Sequence, residues 1–239
     1  MPIEFPSEWK TDAWHGGLRH RFELDGHDAW FIEPETPAGD GRWSWCMVWP
    51  EAFVERVGVE DLLKRGFYHA HVDAFATRAN PEGQTVLRKF HELAVRLGLA
   101  PQVNLIGLSW GGFFSLRYAS ENPDKVACIY LDAPVCNMVD RSTPAAEARF
   151  HGLAAAYAMD EAAMTRSPLN PINALAPIVE ARIPIFAATG EADVEVPVAN
   201  NIDIVERRIH ELGGSIVIRR RPGRSDAGRT PARMSTPPP

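Results

Sequence analysis

A serine flanked by glycines lies where an apolar stretch gives way to a helical one, and this junction constrains the fold most. Val103–Leu108 is an apolar run of strand length, and residues 111–120 have helical spacing before the break at Asn122-Pro123. Between them the chain reads Gly107-Leu108-Ser109-Trp110-Gly111. A turn this sharp needs small neighbouring residues, because the helix packs back against the strand that it leaves. The junction therefore predicts a buried strand whose end presents the Ser109 hydroxyl.

The rest of the chain alternates strand-like and helix-like segments. An antiparallel pair, 18–24 and 29–32, is predicted around the turn Asp25-Gly26. Further strands are predicted at 43–48, 67–72, 126–131, 183–188 and 215–218, and helices at 57–64, 81–97 and 199–212. Such alternation implies a mostly parallel sheet with helices on both faces. The Ala-rich stretch near the middle of the chain has no strand-like run and predicts a small helical cap at 137–170.

Length and charge predict one domain followed by a basic tail. The chain has 239 residues, and 25 Lys plus Arg against 31 Asp plus Glu give a net charge of −6. The segment 219–239 contains six Arg and one Asp and is rich in Pro, so we expect a single domain over 1–218 and an irregular tail after it. An acidic domain disfavours nucleic-acid binding, for which only the tail is suited.

Membrane proteins and metalloproteins are also disfavoured. No run approaches the roughly 18 apolar residues of a membrane span, and the first residues lack the basic and apolar regions of an export signal. We therefore expect a cytoplasmic protein, or one whose export signal is missing from this sequence, without a membrane partner. Cys46, Cys128 and Cys136 lack the paired spacing of a zinc site or a disulfide framework, which indicates structural thiols, no metal and no cofactor. The oligomeric state stays open.

Together with a second motif, the Gly-x-Ser-x-Gly turn resembles the α/β-hydrolase superfamily. Residues 183–197, Ile-Pro-Ile-Phe-Ala-Ala-Thr-Gly-Glu-Ala-Asp-Val-Glu-Val-Pro, look like the strand and loop that carry the acid in that family. The resemblance implies an α/β-hydrolase fold, with Ser109 as nucleophile and Asp193 as the acid that orients a histidine. It also implies that the Trp110 N–H forms part of an oxyanion hole. Asp132 matches an alternative acid position of some members and ranks second.

The second oxyanion donor of the family follows its third strand, where many members read His-Gly. Residues 43–50 here read Trp-Ser-Trp-Cys-Met-Val-Trp-Pro instead. This resembles a bacterial, serine esterase-like subgroup with an aromatic motif at that place. The resemblance implies a backbone N–H near Trp45 or Cys46 as the second donor.

The chain departs from the family where the catalytic histidine belongs, on the loop after the last strand. Residues 222–230 read Pro-Gly-Arg-Ser-Asp-Ala-Gly-Arg-Thr, without a histidine. His210 is the only histidine after Asp193, and it is predicted to lie in mid-helix. His69 and His71 point to one face of a predicted strand, and His71, nearer its C-terminal end, is the better candidate base. Which residue acts as the base stays open.

A frameshift in the gene accounts for this departure. The resemblance stops where the chain becomes rich in Arg, Pro and Ala. Read from the third base of codon 224, codons for residues 224–231 permit Val-Gly-Arg-Arg-Pro-His-Ser, close to the Gly-His-His-Pro-His-Ser loop of the family. We hypothesise that a parent gene encoded a complete triad and that this chain lost its histidine and final helix.

The expected activity is hydrolysis of a carboxylic ester, with small or acyl-carbohydrate esters as candidate substrates, through an acyl-enzyme on Ser109. Without a base, the serine hydroxyl is a weak nucleophile. The alternative is an impaired hydrolase scaffold that binds small acyl ligands without turning them over. The identity of the ester or acyl ligand stays open.

Overall fold

A nine-stranded sheet forms the centre of the molecule. The computed structural model describes residues 3–225. The strands are β1 Lys10–Trp14, β2 Gly17–Leu24, β3 His27–Pro34, β4 Trp43–Cys46, β5 Tyr68–Val72, β6 Val103–Leu108, β7 Val126–Asp132, β8 Ile185–Gly190 and β9 Val217–Arg221. Their order is β1-β2-β3-β5-β4-β6-β7-β8-β9, with antiparallel pairing from β1 through β3 to β5 and parallel pairing from β5 to β9.

Helices cover the two faces of this sheet unequally. They are α1 Val59–Lys64, α2 Pro81–Leu97, α3 Trp110–Glu121, α4 Pro144–Tyr157, α5 Glu161–Arg166, α6 Ala176–Glu180 and α7 Ile202–Glu211. The larger core joins buried residues of α2 to α7 to one sheet face, with Trp43, Phe90 and Phe113 fully buried in it. A smaller cluster packs α1 against the other face through Leu63, Ile32 and neighbouring residues.

The mostly parallel sheet and most elements predicted from the sequence are confirmed. Helix α2 and strand β6 have the predicted bounds. Asn80 begins α2, because its side chain accepts a hydrogen bond from the Gly83 N–H at 2.9 Å. The predicted cap segment contains α4 and α5. Strand β1 was not predicted, and β9 extends three residues into the segment 219–239 assigned to the irregular tail.

The hydrogen bonding of β9 explains why it continues into the basic segment. Arg219 to Arg221 pair with residues 188–190 of β8. Arg220 forms ion pairs with Asp203 and Glu206 of α7, at 2.7 and 2.5 Å. The Arg220 charge therefore has two acidic partners on the neighbouring helix, and the strand tolerates it.

Close packing around the start of α3 fixes the turn that follows β6. A Cβ placed on Gly107 would lie 2.6 Å from the Gly111 carbonyl oxygen, and one on Gly112 would lie 2.3 Å from the Pro134 Cβ. Side chains at these two positions would push α3 away from β6 and from the chain that follows β7. The helix consequently leaves the strand through a very narrow turn.

Replacing Gly112 with alanine tests this packing. We expect Gly112→Ala to lower the free energy of unfolding by about 1–3 kcal/mol, because the new methyl overlaps Pro134. The matched control is Gly152→Ala in α4, where an added Cβ meets no atom within 4 Å. That variant should gain about 0.5–1 kcal/mol from helix propensity. Urea unfolding measures both, and equal effects of the two variants would contradict this account.

Candidate active site

Ser109 occupies a strained turn between β6 and α3. Its backbone has φ 52° and ψ −114°, a conformation that non-glycine residues rarely adopt. Backbone hydrogen bonds hold it there: the Ser109 N–H donates to the Asp132 carbonyl, and the Ser109 carbonyl accepts from the N–H groups of Gly112 and Val135, all at 2.9 Å. The turn leaves Ser109 half-buried at the C-terminal end of the sheet. Such strain, fixed by its surroundings, is typical of a functional residue.

Trp110 begins α3 directly after the serine. The first N–H groups of a helix have no acceptor within it, and the helix dipole places partial positive charge there. An oxygen anion formed next to Ser109 would therefore face favourable backbone dipoles at this end of α3. The Trp110 N–H at this helix start stays the predicted oxyanion donor.

The structure places Trp45 away from this turn. Trp45 lies within β4, in register between Ala70 and Leu105, and its indole is fully buried against Phe90 of α2. Cys46 ends the same strand. The backbone nitrogen of Val48, in contrast, lies 3.5 Å from the position that a Cβ on Gly111 would take. The part of this segment that lies beside the start of α3 is thus Val48, just after β4. Val48 is two or three residues beyond the donor predicted near Trp45 or Cys46.

Asp193 lies on the loop after β8, as the resemblance implied. Its side chain is buried, and Oδ1 accepts hydrogen bonds from the N–H groups of Glu195 and Val196, each at 2.8 Å. Arg149 of the cap helix α4 donates to the Glu195 carbonyl oxygen at 2.6 Å. Burial lowers the pKa of Arg149. The cap therefore holds the loop that fixes the Asp193 carboxylate.

Asp132, the second-ranked acid, ends β7 next to the serine. It is 1% exposed, and its Oδ1 lies 3.3 Å from Nη2 of Arg56. The Arg56 guanidinium also stacks on the Phe53 ring, 3.8 Å from the centroid. Because Asp132 has an arginine partner and also holds the Ser109 N–H through its backbone, it contributes to the positioning of the turn.

The loop after β9 runs beside the acid loop. The Ala192 N–H donates to the Arg224 carbonyl at 2.8 Å, and the Glu191 N–H donates to the Arg221 carbonyl at 3.1 Å. Arg224 is therefore bonded to the residue just before Asp193. The rest of the segment where the family carries its histidine, from residue 226, lies outside the described residues, and the whole chain has no histidine after His210.

His69 and His71 are buried on β5 and are bonded to other groups. Nδ1 of His69 lies 2.8 Å from the Ser44 hydroxyl, and Nδ1 of His71 lies 2.8 Å from the Cys46 carbonyl oxygen, to which it donates. Burial lowers the pKa of His69 to about 3 and also lowers that of His71. Strand β4 lies between β5 and β6, so His71 is one strand removed from the strand that carries Ser109.

The other six histidines are either exposed or bonded to other groups. His210 lies exposed in the last turn of α7. The remaining five contact these groups: His15 with Glu60, His20 with Glu33, His27 with the Asp73 carbonyl, His91 with the Pro101 carbonyl and His151 with Glu147. Within residues 3–225, no histidine forms a hydrogen bond with Ser109.

Comparison with known proteins agrees with the geometry. A family model described as the α/β hydrolase fold matches residues 73–169. S-formylglutathione hydrolase from Agrobacterium tumefaciens superposes with a TM-score of 0.65 at 16% identity, covering 89% of each chain. Carboxyl esterase 2 from Tuber melanosporum gives 0.60 at 15% identity, covering 92% of this chain and 79% of that one. The chain has the α/β-hydrolase fold.

This chain is shorter than some of the structures that it resembles. Acylaminoacyl peptidase from Pyrococcus horikoshii superposes with a TM-score of 0.64 at 14% identity, over 85% of this chain but only 36% of the peptidase. The chain thus spans about a third of the peptidase's length. No curated protein matches its sequence.

The cysteines of the chain have thiol groups in buried or partly buried places. All three cysteines are free, and burial raises the pKa of each, that of Cys46 to about 12. Cys46 donates its S–H to the Val48 carbonyl oxygen. Residues 3–225 contain no cluster of three metal-ligating side chains. No helix in this part of the chain is long and apolar enough to cross a membrane.

Buried His69 predicts that acid destabilises the fold. Below pH 6.5 the unfolded chain binds a proton at His69, whereas the folded protein does so only near pH 3. Stability is therefore lost as pH falls through this window, by about 2 kcal/mol at pH 5. We expect His69→Gln to reduce this loss and exposed His210→Gln to leave it unchanged. Urea unfolding at pH 8 and pH 5 checks this; the same pH dependence in all three proteins would refute the assignment.

Proposed function

We propose that this chain is a scaffold for hydrolysing small carboxylic esters at Ser109, impaired by the lack of a histidine base. The observation that carries the proposal is the strained turn at Ser109, with its φ of 52°, at the start of α3. In that position the hydroxyl is free of side-chain hydrogen bonds within residues 3–225, and helix N–H groups lie next to it. These are the requirements for attack on a carbonyl carbon and stabilisation of the resulting oxyanion.

The reaction would proceed through a covalent acyl-enzyme. Ser109 Oγ attacks the ester carbonyl, and the carbonyl oxygen becomes an anion facing the Trp110 N–H. The bond between the acyl carbon and the alcohol oxygen then breaks, and the proton lost by the serine reaches the departing alkoxide through solvent water. A water molecule next attacks the acyl-serine, which releases the acid and restores the serine hydroxyl. Asp193 would orient an imidazole and stabilise its charged form, which is the role of the acid in such triads.

This chain lacks a group that could remove the proton from the Ser109 hydroxyl. A serine hydroxyl is a weak nucleophile until a neighbouring base accepts its proton. Within the described residues no histidine forms a hydrogen bond with Ser109, so the remaining rate would come from the oxyanion site and substrate positioning.

Esters are favoured over other acyl substrates by analogy with similar folds. The structures that resemble this chain include a carboxyl esterase and an S-formylglutathione hydrolase, as well as an acylaminoacyl peptidase. An ester carbonyl is easier to attack than an amide carbonyl, and an alcohol leaves without the general acid that an amine requires. A site without histidine is thus better suited to esters than to peptides.

The second candidate function is binding of small acyl ligands without turnover. It is favoured by the absence of any histidine hydrogen-bonded to Ser109 within residues 3–225. The turn and the acid loop would then form a binding pocket only. The two candidates differ in whether Ser109 reacts covalently.

Restoring a histidine tests the proposed function. In the variant, residues 224–230 are replaced by Val-Gly-Arg-Arg-Pro-His-Ser, which includes Arg229→His. We expect this variant to hydrolyse p-nitrophenyl butyrate with a kcat/KM at least 100-fold above that of the unaltered chain, because the serine gains a base.

Two controls identify the groups responsible. Adding Ser109→Ala to the restored variant should abolish the gain. Adding Asp193→Asn should remove most of it, because the imidazole loses the carboxylate that orients it. A restored variant that remains inactive yet binds butyrate would favour the binding function. A gain that survives Ser109→Ala would refute the role of the serine.

A further inference from the structure

An arginine lies among the aromatic residues that surround the start of α3. Arg78 follows the short helical turn Phe75–Thr77 after β5. Its guanidinium carbon lies 3.9 Å from the centroid of the Phe75 ring and 5.4 Å from that of the Trp110 ring. The two rings meet edge to face at 5.8 Å. Arg78 is therefore adjacent to the residue that directly follows Ser109.

The backbone at Arg78 is strained and held in place by the cap. Arg78 and Ala79 have φ values of 52° and 53°, two consecutive left-handed residues that are not glycine. The Tyr157 hydroxyl of α4 contacts the carbonyl oxygens of both, at 3.1 and 2.8 Å. The neighbouring Asn80 side chain donates to the Ala156 carbonyl oxygen of the same helix at 3.1 Å. The strained backbone persists because these bonds to the cap helix α4 hold it in place. The backbone conformation in turn sets the direction of the Arg78 side chain.

The Arg78 charge has no acidic partner within residues 3–225. Its one protein hydrogen bond goes from Nη1 to the Phe75 carbonyl oxygen, and it forms no salt bridge. Burial alone lowers the pKa of Arg78. Other arginines of the chain are neutralised, such as Arg19 by Asp12 and Arg141 by Glu147. A half-buried guanidinium with unused donors is suited to a carboxylate, which it binds through two parallel hydrogen bonds.

We propose that Arg78 is an anion-binding residue that selects esters carrying a carboxylate group away from the scissile bond. The carboxylate would lie against the guanidinium edge, while Phe75 and Trp110 hold the guanidinium plane and pack against the substrate's carbon chain. This inference rests on the proposed function for the identity of the reacting group. The carboxylate site itself is testable without any turnover.

Binding to a chain carrying Ser109→Ala tests the site. The ligands are the monomethyl esters of succinate, glutarate and adipate, which keep one carboxylate, and the corresponding dimethyl esters, which are neutral. Tryptophan fluorescence follows binding, because Trp110 lines the site. At low salt we expect at least one monomethyl ester to bind tenfold or more tightly than its dimethyl counterpart, with the preference falling as salt is added.

Variants of the arginine assign the preference to Arg78. Arg78→Gln should abolish the preference for monomethyl esters. Arg78→Lys should retain part of the preference, because lysine keeps the positive charge but lacks the planar guanidinium that forms two parallel hydrogen bonds. Arg182→Gln is the matched control, since Arg182 is an exposed arginine that also has a left-handed backbone, with φ 56°. It should leave the preference unchanged.

The outcomes separate this inference from the proposed function. Equal binding of mono- and dimethyl esters, no binding of either, or a preference that survives Arg78→Gln would each overturn the anion site. A lower melting temperature of Arg78→Gln with unchanged preference would assign the arginine a packing role only, and would also overturn it. Failure of Ser109 to react with a fluorophosphonate in the restored variant would refute the proposed function and leave the binding result valid.

Discussion

The packing of α3 against β6 is the constraint on which the site depends. Glycines at 107 and 112 let the helix start directly after the strand, and this closeness forces Ser109 into its left-handed conformation. Three backbone hydrogen bonds then hold the serine between the ends of β6 and β7. The surrounding packing and hydrogen bonds therefore stabilise the strained turn, whose backbone would otherwise relax into ordinary helix or strand geometry.

The cap helix α4 links both sides of this turn. Arg149 near its middle bonds the acid loop, and Tyr157 at its end bonds the strained residues Arg78 and Ala79. One helix thus positions the loop with Asp193 and the loop with the anion-binding arginine. A displacement of α4 would alter both at once, so the cap has a structural role in the site as well as covering it.

The sequence was sufficient to predict the parallel sheet and the turn at Ser109, and the family resemblance placed Asp193 on the loop after β8. The sheet and the turn depend on local signals, which are apolar runs of strand length and small residues beside the serine. Strand β1 had no such signal, because Lys10, Thr11 and Asp12 are polar, and Asp12 is held by ion pairs to Arg19 and Arg21 of β2.

The residues that the sequence did not reveal depend on contacts between distant segments. The resemblance implied a second oxyanion donor near Trp45 or Cys46, whereas the part of this segment that lies beside Gly111 is Val48. Arg78 became noticeable only through its stacking on Trp110 and its lack of an acidic partner among the described residues. The one signal in the sequence was its position in the loop after a predicted strand end, where binding residues of parallel sheets often lie.

Rescue by added imidazole tests most directly the claim that this chain has a nucleophile and an acid but no base. The measured quantity is the rate of p-nitrophenyl butyrate hydrolysis by the unaltered chain minus that of Ser109→Ala, at increasing imidazole concentrations. We predict a small difference without imidazole that rises and saturates as imidazole occupies the place beside Asp193. A difference that is large without imidazole and independent of it would show that a base is already present and would contradict the account.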